Sequence, residues 1–380
     1  MTTATGVGSW PGTSAREAVR AVRDLLGPDG LPYLPETPDR GPGADLVGRG
    51  AGLLLELPVD LQPMGWRFVD RPGRDAARTA ALLTEDLDEL AEAYDGYAGA
   101  LKVQVCGPWS LAASVWLTRG ERALTDPGAR RDVASSLSAG VAGLLARVRS
   151  LVPGAELVLQ LDEPSLPAVL GGWLPTASGF GKVAAVDPQE VRAGLREVVA
   201  AAGATPTVLH CCAGDPPVPI LRDVGATGIS LDTSGLKART WEGVAVAVES
   251  GMTLYAGAVP TAEAMPPAAD LARALERRWA DLGLDPATLG AVVVSPSCGL
   301  AGLPVAEAVR RQKLAVEVAR RLGDIPPPPD PNGQTRTGIP ETAFGIPEAV
   351  SDIPETAFGI TEIQSGITEL PDGRGEVRSG

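Results

Sequence analysis

The feature that most constrains the fold of this 380-residue chain is an alternation of short apolar segments with longer amphipathic ones. Such alternation predicts a parallel sheet with helices packed against it. The predicted strands lie near Thr5–Ser9, Gly52–Leu57, Ala100–Cys106, Leu157–Asp162, Thr205–His210, Gly228–Leu231, Thr253–Ala256 and Ala291–Ser295. The predicted helices include Ser14–Leu26, Ala76–Tyr97, Ala129–Ser150, Pro188–Ala202, Ala268–Leu284 and Val305–Leu322.

Eight strand–helix units predict a (β/α)8 barrel of the TIM type over residues 1–324. A doubly wound sheet is the weaker alternative because no Gly-x-Gly-x-x-Gly turn opens a strand–helix unit. In a barrel, the working side chains stand at the C-terminal ends of the strands. Seven polar or reactive residues fall at or just past the predicted strand ends, namely Ser9, Glu56, Cys106, Asp162, His210, Asp232 and Cys298. Their positions favour the barrel.

Residues 325–380 differ from the rest of the chain. Pro326–Pro329 begin the segment, and a seven-residue repeat follows with units that start at Ile339, Ile346, Ile353, Ile360 and Ile367. Proline and glycine recur in the repeat, so a continuous coiled-coil helix is excluded. The acidic, weakly apolar composition predicts a disordered C-terminal tail without a role in catalysis, and an interaction segment is the alternative.

Composition excludes several classes of function. The net charge of −14 argues against nucleic acid or an anionic membrane as the main partner. No apolar run is long enough to span a membrane, and the N-terminal residues lack a secretory pattern, so we expect a cytoplasmic protein. Four cysteines are too few for a disulfide framework in a chain of this length, and their grouping is typical of a metal or catalytic site.

The single histidine of the chain lies beside two cysteines, in His210-Cys211-Cys212. Side chains alternate along a strand, so His210 and Cys212 are expected to share one face. Cys298 follows another apolar run, and Asp232 ends the strand between them. An imidazole, two thiolates and a carboxylate would complete a tetrahedral zinc site. A shell this negative is suited to activating a thiol rather than water.

Five ordered segments carry a resemblance to a known family: Val7–Pro11, Gln160–Pro164, His210–Cys212, Ser230–Ser234 and Ser295–Leu300. Together they resemble the catalytic C-terminal barrel of the cobalamin-independent methionine synthases. The resemblance covers about Val7 to Leu322, and nothing here resembles the N-terminal barrel of that family. It implies zinc-dependent methyl transfer to the thiol of homocysteine, which yields methionine. The implied donor is methyl-folate or a methylcorrinoid, the latter with a corrinoid protein as partner.

The resemblance also implies a role for individual residues. His210, Cys212 and Cys298 match zinc ligands, and Asp232 falls where the family has a glutamate ligand. For the acceptor, Val7 and Ser9 match residues that hold the homocysteine backbone, and Asp162 matches the carboxylate that takes its amino group. Glu56, at the predicted end of the second strand, is expected to be a second such carboxylate.

The sequence departs from the family at the general acid. Methyl transfer from a folate nitrogen requires a proton on the leaving amine, and the family has a histidine after the seventh strand where Tyr255–Thr261 has none. Asp162, Glu163 or Tyr255 could supply the proton instead, or the donor could be a methylcorrinoid that needs none. The remaining alternatives are another small thiol as acceptor and a zinc-binding scaffold without catalysis.

Overall fold

The computed structural model describes residues 3–27, 29–261 and 264–323, so the predicted tail at 325–380 lies outside the described residues. The strands are β1 (Thr3–Ala4), β2 (Val59–Gln62), β3 (Gly65–Phe68), β4 (Gly99–Cys106), β5 (Ala155–Asp162), β6 (Thr207–Cys211), β7 (Gly228–Asp232), β8 (Thr253–Val259) and β9 (Val293–Pro296). The helices are α1 (Ala15–Leu26), α2 (Leu46–Gly52), α3 (Arg74–Ala93), α4 (Pro108–Ser114), α5 (Pro127–Leu151), α6 (Leu166–Gly171), α7 (Pro188–Ala201), α8 (Val218–Arg222), α9 (Ala238–Glu249), α10 (Ala268–Asp281), α11 (Pro286–Leu289) and α12 (Val305–Leu322). None of these helices has the length and apolar character needed to cross a membrane.

Seven strands form one parallel sheet in the order β1-β9-β8-β7-β6-β5-β4. The extended segment 31–36 joins its two edges. On one side, the backbone N–H of Leu34 donates to the carbonyl of Lys102 in β4 at 3.0 Å. On the other side, the N–H of Glu36 donates to the carbonyl of Gly8, also at 3.0 Å. The segment therefore fills the eighth position and closes the sheet into the predicted α/β barrel.

The predicted second strand, Gly52–Leu57, was wrong. Helix α2 ends at Gly52 and a loop follows, while the strand position belongs to segment 31–36. Pro32 and Pro35 explain why the apolar pattern of the sequence does not predict a strand in this segment. Proline has no backbone N–H, so the segment forms only isolated bridges to its neighbours rather than a regular ladder. Strands β2 and β3 form a separate antiparallel hairpin.

The barrel interior is layered. An apolar cluster fills its lower part and consists of Leu31, Val158, Val208, Tyr255 and Val293, with Ala100 packed against it. Because side chains alternate along a strand, the residues two and four positions further along face the same interior. On β5 and β6 these are polar groups, and they form the upper layer of the barrel.

Candidate active site at the barrel mouth

Two thiols meet at the C-terminal ends of β6 and β9. Cys212 directly follows β6, Cys298 lies just past β9, and their Sγ atoms are 3.9 Å apart. A metal ion bound tetrahedrally at about 2.3 Å from both sulfurs would hold them about 3.8 Å apart. Cys211 is completely buried in the core around the barrel. The predicted alternation of faces in the His-Cys-Cys segment is therefore observed.

His210 lies below the two thiols with one ring nitrogen engaged and the other without a partner. Its Nδ1 is 3.0 Å from the hydroxyl of Ser230, whereas its Nε2 is buried and has no hydrogen bond. Burial lowers the pKa of His210 to about 3, so the imidazole is neutral. A neutral, oriented imidazole with an unused nitrogen is a suitable metal ligand, because a hydrogen bond at the other nitrogen fixes the ring.

Asp232 ends β7 beside the thiols. Its Oδ1 accepts from the backbone N–H of Ser234 at 2.9 Å and from the Ser234 hydroxyl at 2.6 Å, and its charge acts on Cys298. The hydrogen bond between the thiols lowers the pKa of Cys298 to about 6 and raises that of Cys212. We call His210, Cys212, Asp232 and Cys298 the sulfur region. Within the described residues, no three His, Cys, Asp or Glu side chains lie together as a formed metal site.

On the other side of the mouth, two buried carboxylates lie near each other. Asp162 ends β5, and its Oδ1 accepts from Nε2 of Gln160 at 2.7 Å. Glu36 ends the extended segment and accepts from Nε2 of Gln104 at 3.3 Å, with Arg49 at 3.6 Å. Burial raises the pKa of both carboxyl groups, and the charge of Glu36 raises the pKa of Asp162 further.

The same network contains a buried lysine. Nζ of Lys102 donates to Oε1 of Gln160 at 2.7 Å, and we call the set Glu36, Lys102, Gln104, Gln160 and Asp162 the carboxylate region.

Glu36 was not among the predicted site residues, and Glu56 was predicted in its place. Glu56 follows helix α2, is exposed, and has a φ of 61°, so it ends no barrel strand. The expectation that it is the second carboxylate failed because it depended on the wrong strand. The sequence did contain a signal for Glu36, because this acidic residue directly follows the apolar run Leu31–Pro35. The two prolines in the run are untypical of a barrel strand, so no strand was predicted there.

Val7 and Ser9 lie between the two regions. The Val7 carbonyl accepts from Nζ of Lys102 and from Nε2 of Gln160, each at 2.8 Å. The Ser9 carbonyl accepts from the N–H of Leu300 at 3.0 Å, which ties this loop to the one that carries Cys298. A Cβ at position 299 would be 2.1 Å from the Ser9 hydroxyl oxygen, so Gly299 is required for the approach of the two loops.

Two of the three candidate acids lie away from the mouth. Glu163 is completely buried and accepts from the N–H of Trp109 and from the N–H and hydroxyl of Ser110, at the start of helix α4. Tyr255 belongs to the apolar cluster in the lower interior, and burial raises its pKa to about 12. Asp162 is the candidate that the structure places in the upper polar layer.

Comparisons with known proteins identify the family of the chain. Residues 1–321 match the family described as cobalamin-independent synthase, catalytic domain. One solved structure with a similar fold is a B12-independent methionine synthase from Shewanella sp. W3-18-1 in complex with selenomethionine. The TM-score is 0.56 at 12% identity, over 85% of this chain and 98% of that one. A search of curated proteins found no match. The chain therefore belongs to the cobalamin-independent synthase family of methyltransferases, which it matches over the catalytic domain.

Proposed function

We propose that this enzyme transfers a methyl group to the thiol of homocysteine, held on a zinc ion, and so forms methionine. The observation that carries the proposal is a pair of thiols 3.9 Å apart, one of them two residues after a buried imidazole whose Nε2 has no partner. His210, Cys212 and Cys298 would hold the metal, with Asp232 as the fourth ligand. Zinc, when bound, would lower the pKa of the acceptor thiol and keep it as a thiolate.

The carboxylate region would hold the other end of the acceptor. Asp162, together with Glu36, presents negative charge for the α-ammonium group, and Ser9 and Val7 lie between this charge and the thiols. The two regions would together take a small molecule with a thiol at one end and an ammonium group at the other. Homocysteine has that shape and charge.

The reaction forms one bond and breaks one. The acceptor thiol loses its proton, and its sulfur then forms a bond to the methyl carbon. The bond from this carbon to the donor breaks, and its electron pair stays with the donor. If the donor is methyl-folate, the leaving nitrogen must be protonated. Asp162, the candidate acid in the mouth, would hold the ammonium group in its ionised form and so could not also supply this proton, which leaves the acid for a methyl-folate donor unassigned. A methylcorrinoid, delivered by a corrinoid protein, needs no acid.

The test uses the full chain, with bound zinc measured by elemental analysis, and homocysteine offered with methyl-folate or methylcobalamin. We expect about one zinc per chain and methionine from one of the donors, which identifies the subtype. Cys298→Ser should lose the metal and the activity. Its matched control is Cys211→Ala, which alters the neighbouring cysteine on the opposite face and should retain both.

Three outcomes would contradict the proposal. Zinc binding without turnover of either donor would favour the scaffold alternative, and turnover only with a different small thiol would replace homocysteine. A wild-type protein without zinc would refute the metal assignment itself.

A further inference from the structure

Lys102 has no role in the chemistry described above, yet it is buried beneath the barrel mouth. Its side chain is completely inaccessible to solvent, and its Nζ lies 5.2 Å from the centroid of the Tyr33 ring. Burying an ammonium group costs free energy unless hydrogen bonds and opposite charge compensate for it. Here Nζ donates to the Val7 carbonyl and to Oε1 of Gln160, and the charges of Asp162 and Glu36 act on it.

The first consequence concerns Gln160. A primary amide has an acceptor oxygen and a donor nitrogen, and its neighbours decide which way it points. Because Lys102 donates to Oε1, the Nε2 group must face the other way, where it donates to Oδ1 of Asp162 and to the Val7 carbonyl. Without the ammonium group, the Gln160 amide would lose the contact that fixes its orientation.

The second consequence concerns Asp162. Its Oδ1 is engaged by Gln160, and in the described part of the chain its other oxygen has no hydrogen-bond partner. Asp162 is buried near a second carboxylate, and Lys102, below the polar layer, is a cation on which both of their charges act. A buried carboxylate with one oxygen held by Gln160 and the other available can receive a cationic group from the mouth.

We propose that Lys102 is a positioning residue for the amino end of the acceptor. It orients Gln160, which in turn holds one oxygen of Asp162, so that the free carboxylate oxygen receives the α-ammonium group. Lys102 does not contact the reacting thiol. This inference rests on the proposed function, because it assumes an acceptor with a thiol in the sulfur region and an ammonium group in the carboxylate region.

The test compares homocysteine with 4-mercaptobutyrate, which has the same thiol and carboxylate but no amino group. Binding of each is measured by titration calorimetry on the zinc-loaded full chain, so that no donor is needed. In Lys102→Met we expect homocysteine affinity to fall about 10- to 100-fold, the range of a lost charge-assisted hydrogen bond. The affinity for 4-mercaptobutyrate should change by less than about threefold. Lys237→Met, at an exposed ion pair, is the matched control and should change neither.

Equal losses of affinity for homocysteine and 4-mercaptobutyrate would show that Lys102 has a general structural role. Unchanged affinity for both would show that Lys102 does not position the acceptor. Either result overturns the inference while leaving the proposed function intact. If the wild type binds neither thiol, both fail together. Should Lys102→Met not fold, Gln160→Glu serves instead, because a second carboxylate cannot donate to Asp162. We expect the same selective loss of homocysteine binding in that variant.

Discussion

The two sides of the barrel mouth differ in how many hydrogen bonds join their described side chains to one another. In the sulfur region, one hydrogen bond joins the two thiols, and the buried Nε2 of His210 has no partner. In the carboxylate region, the lysine and both glutamine side chains donate hydrogen bonds to carboxylates, carbonyls or amide oxygens. Buried polar atoms without partners are rare in folded proteins. The side chains of the carboxylate region are therefore fixed by contacts with one another, whereas those of the sulfur region have atoms that the proposed zinc ion would hold.

The largest expected effect comes from removing the imidazole of the sulfur region. We expect His210→Ala to lose bound zinc and to reduce methionine formation below detection, because no other residue replaces the missing ligand. The carboxylate region should stay intact, so the Tm of the variant should equal that of metal-free wild type within a few degrees. Elemental analysis and thermal unfolding measure the two results. Retention of zinc by this variant would contradict the ligand assignment.

The next effect is expected in the carboxylate region, where a substitution should weaken homocysteine binding and leave zinc binding unchanged. Glu36→Gln removes one negative charge from the carboxylate region, and we expect KM for homocysteine to rise about 10- to 100-fold because a charged contact is lost. Zinc content should be unchanged. Glu56→Gln is the matched control, since this exposed carboxylate lies outside the barrel mouth, and steady-state kinetics should show no change. A larger effect at position 56 than at position 36 would reverse the structural assignment.

A smaller effect is expected from the hydroxyl that orients the imidazole. Ser230 lies 3.0 Å from Nδ1 of His210, and loss of such supporting contacts typically weakens metal binding about 10- to 100-fold. We expect Ser230→Ala to bind zinc about 10-fold more weakly than wild type, the lower end of that range, and to retain activity at saturating zinc. Competition with a chromogenic chelator measures the affinity. Ser234→Ala removes the hydroxyl that donates to Asp232, and its zinc affinity shows whether binding also depends on that hydrogen bond.

The last effect is on the free energy of unfolding rather than on the site. Burial raises the pKa of Glu163 to about 7 from the ordinary value of 4.5. The folded protein therefore binds more protons than the unfolded chain between these values, so the free energy of unfolding falls as pH rises through this window. The contribution is on the order of 3 kcal/mol. We expect the decrease in Tm from pH 5 to pH 8 to be smaller in Glu163→Gln than in wild type.

Glu156→Gln, an exposed change on strand β5, which Glu163 directly follows, is the control for this experiment and should follow the wild type. If Tm falls as much between pH 5 and pH 8 in Glu163→Gln as in wild type, Glu163 does not titrate in this range. Activity gives a second comparison. Because Glu163 contacts the start of helix α4 rather than the mouth, its substitution should affect turnover much less than a change at Asp162.

The sequence by itself determined most of the sulfur region. A histidine and a cysteine two positions apart on one strand must share a face, and strands of a parallel barrel end at one mouth. Cys298 could therefore be expected near Cys212 although 86 residues separate them (298 − 212). The barrel itself followed from the alternation of apolar and amphipathic segments, which depends on local periodicity alone.

Of the carboxylate region, the sequence indicated Asp162, and only the tertiary structure brought Glu36 and Lys102 to it. Segment 31–36 contains two prolines and makes isolated bridges, so nothing local identifies it as part of the barrel. Its position is fixed by the two sheet edges between which it lies, and these edges are far apart in sequence. Lys102 looks like any charged residue in a strand until the barrel closes over it. A chain's periodicity reports which face a residue lies on, whereas the partners that make a buried charge tolerable come from elsewhere in the fold.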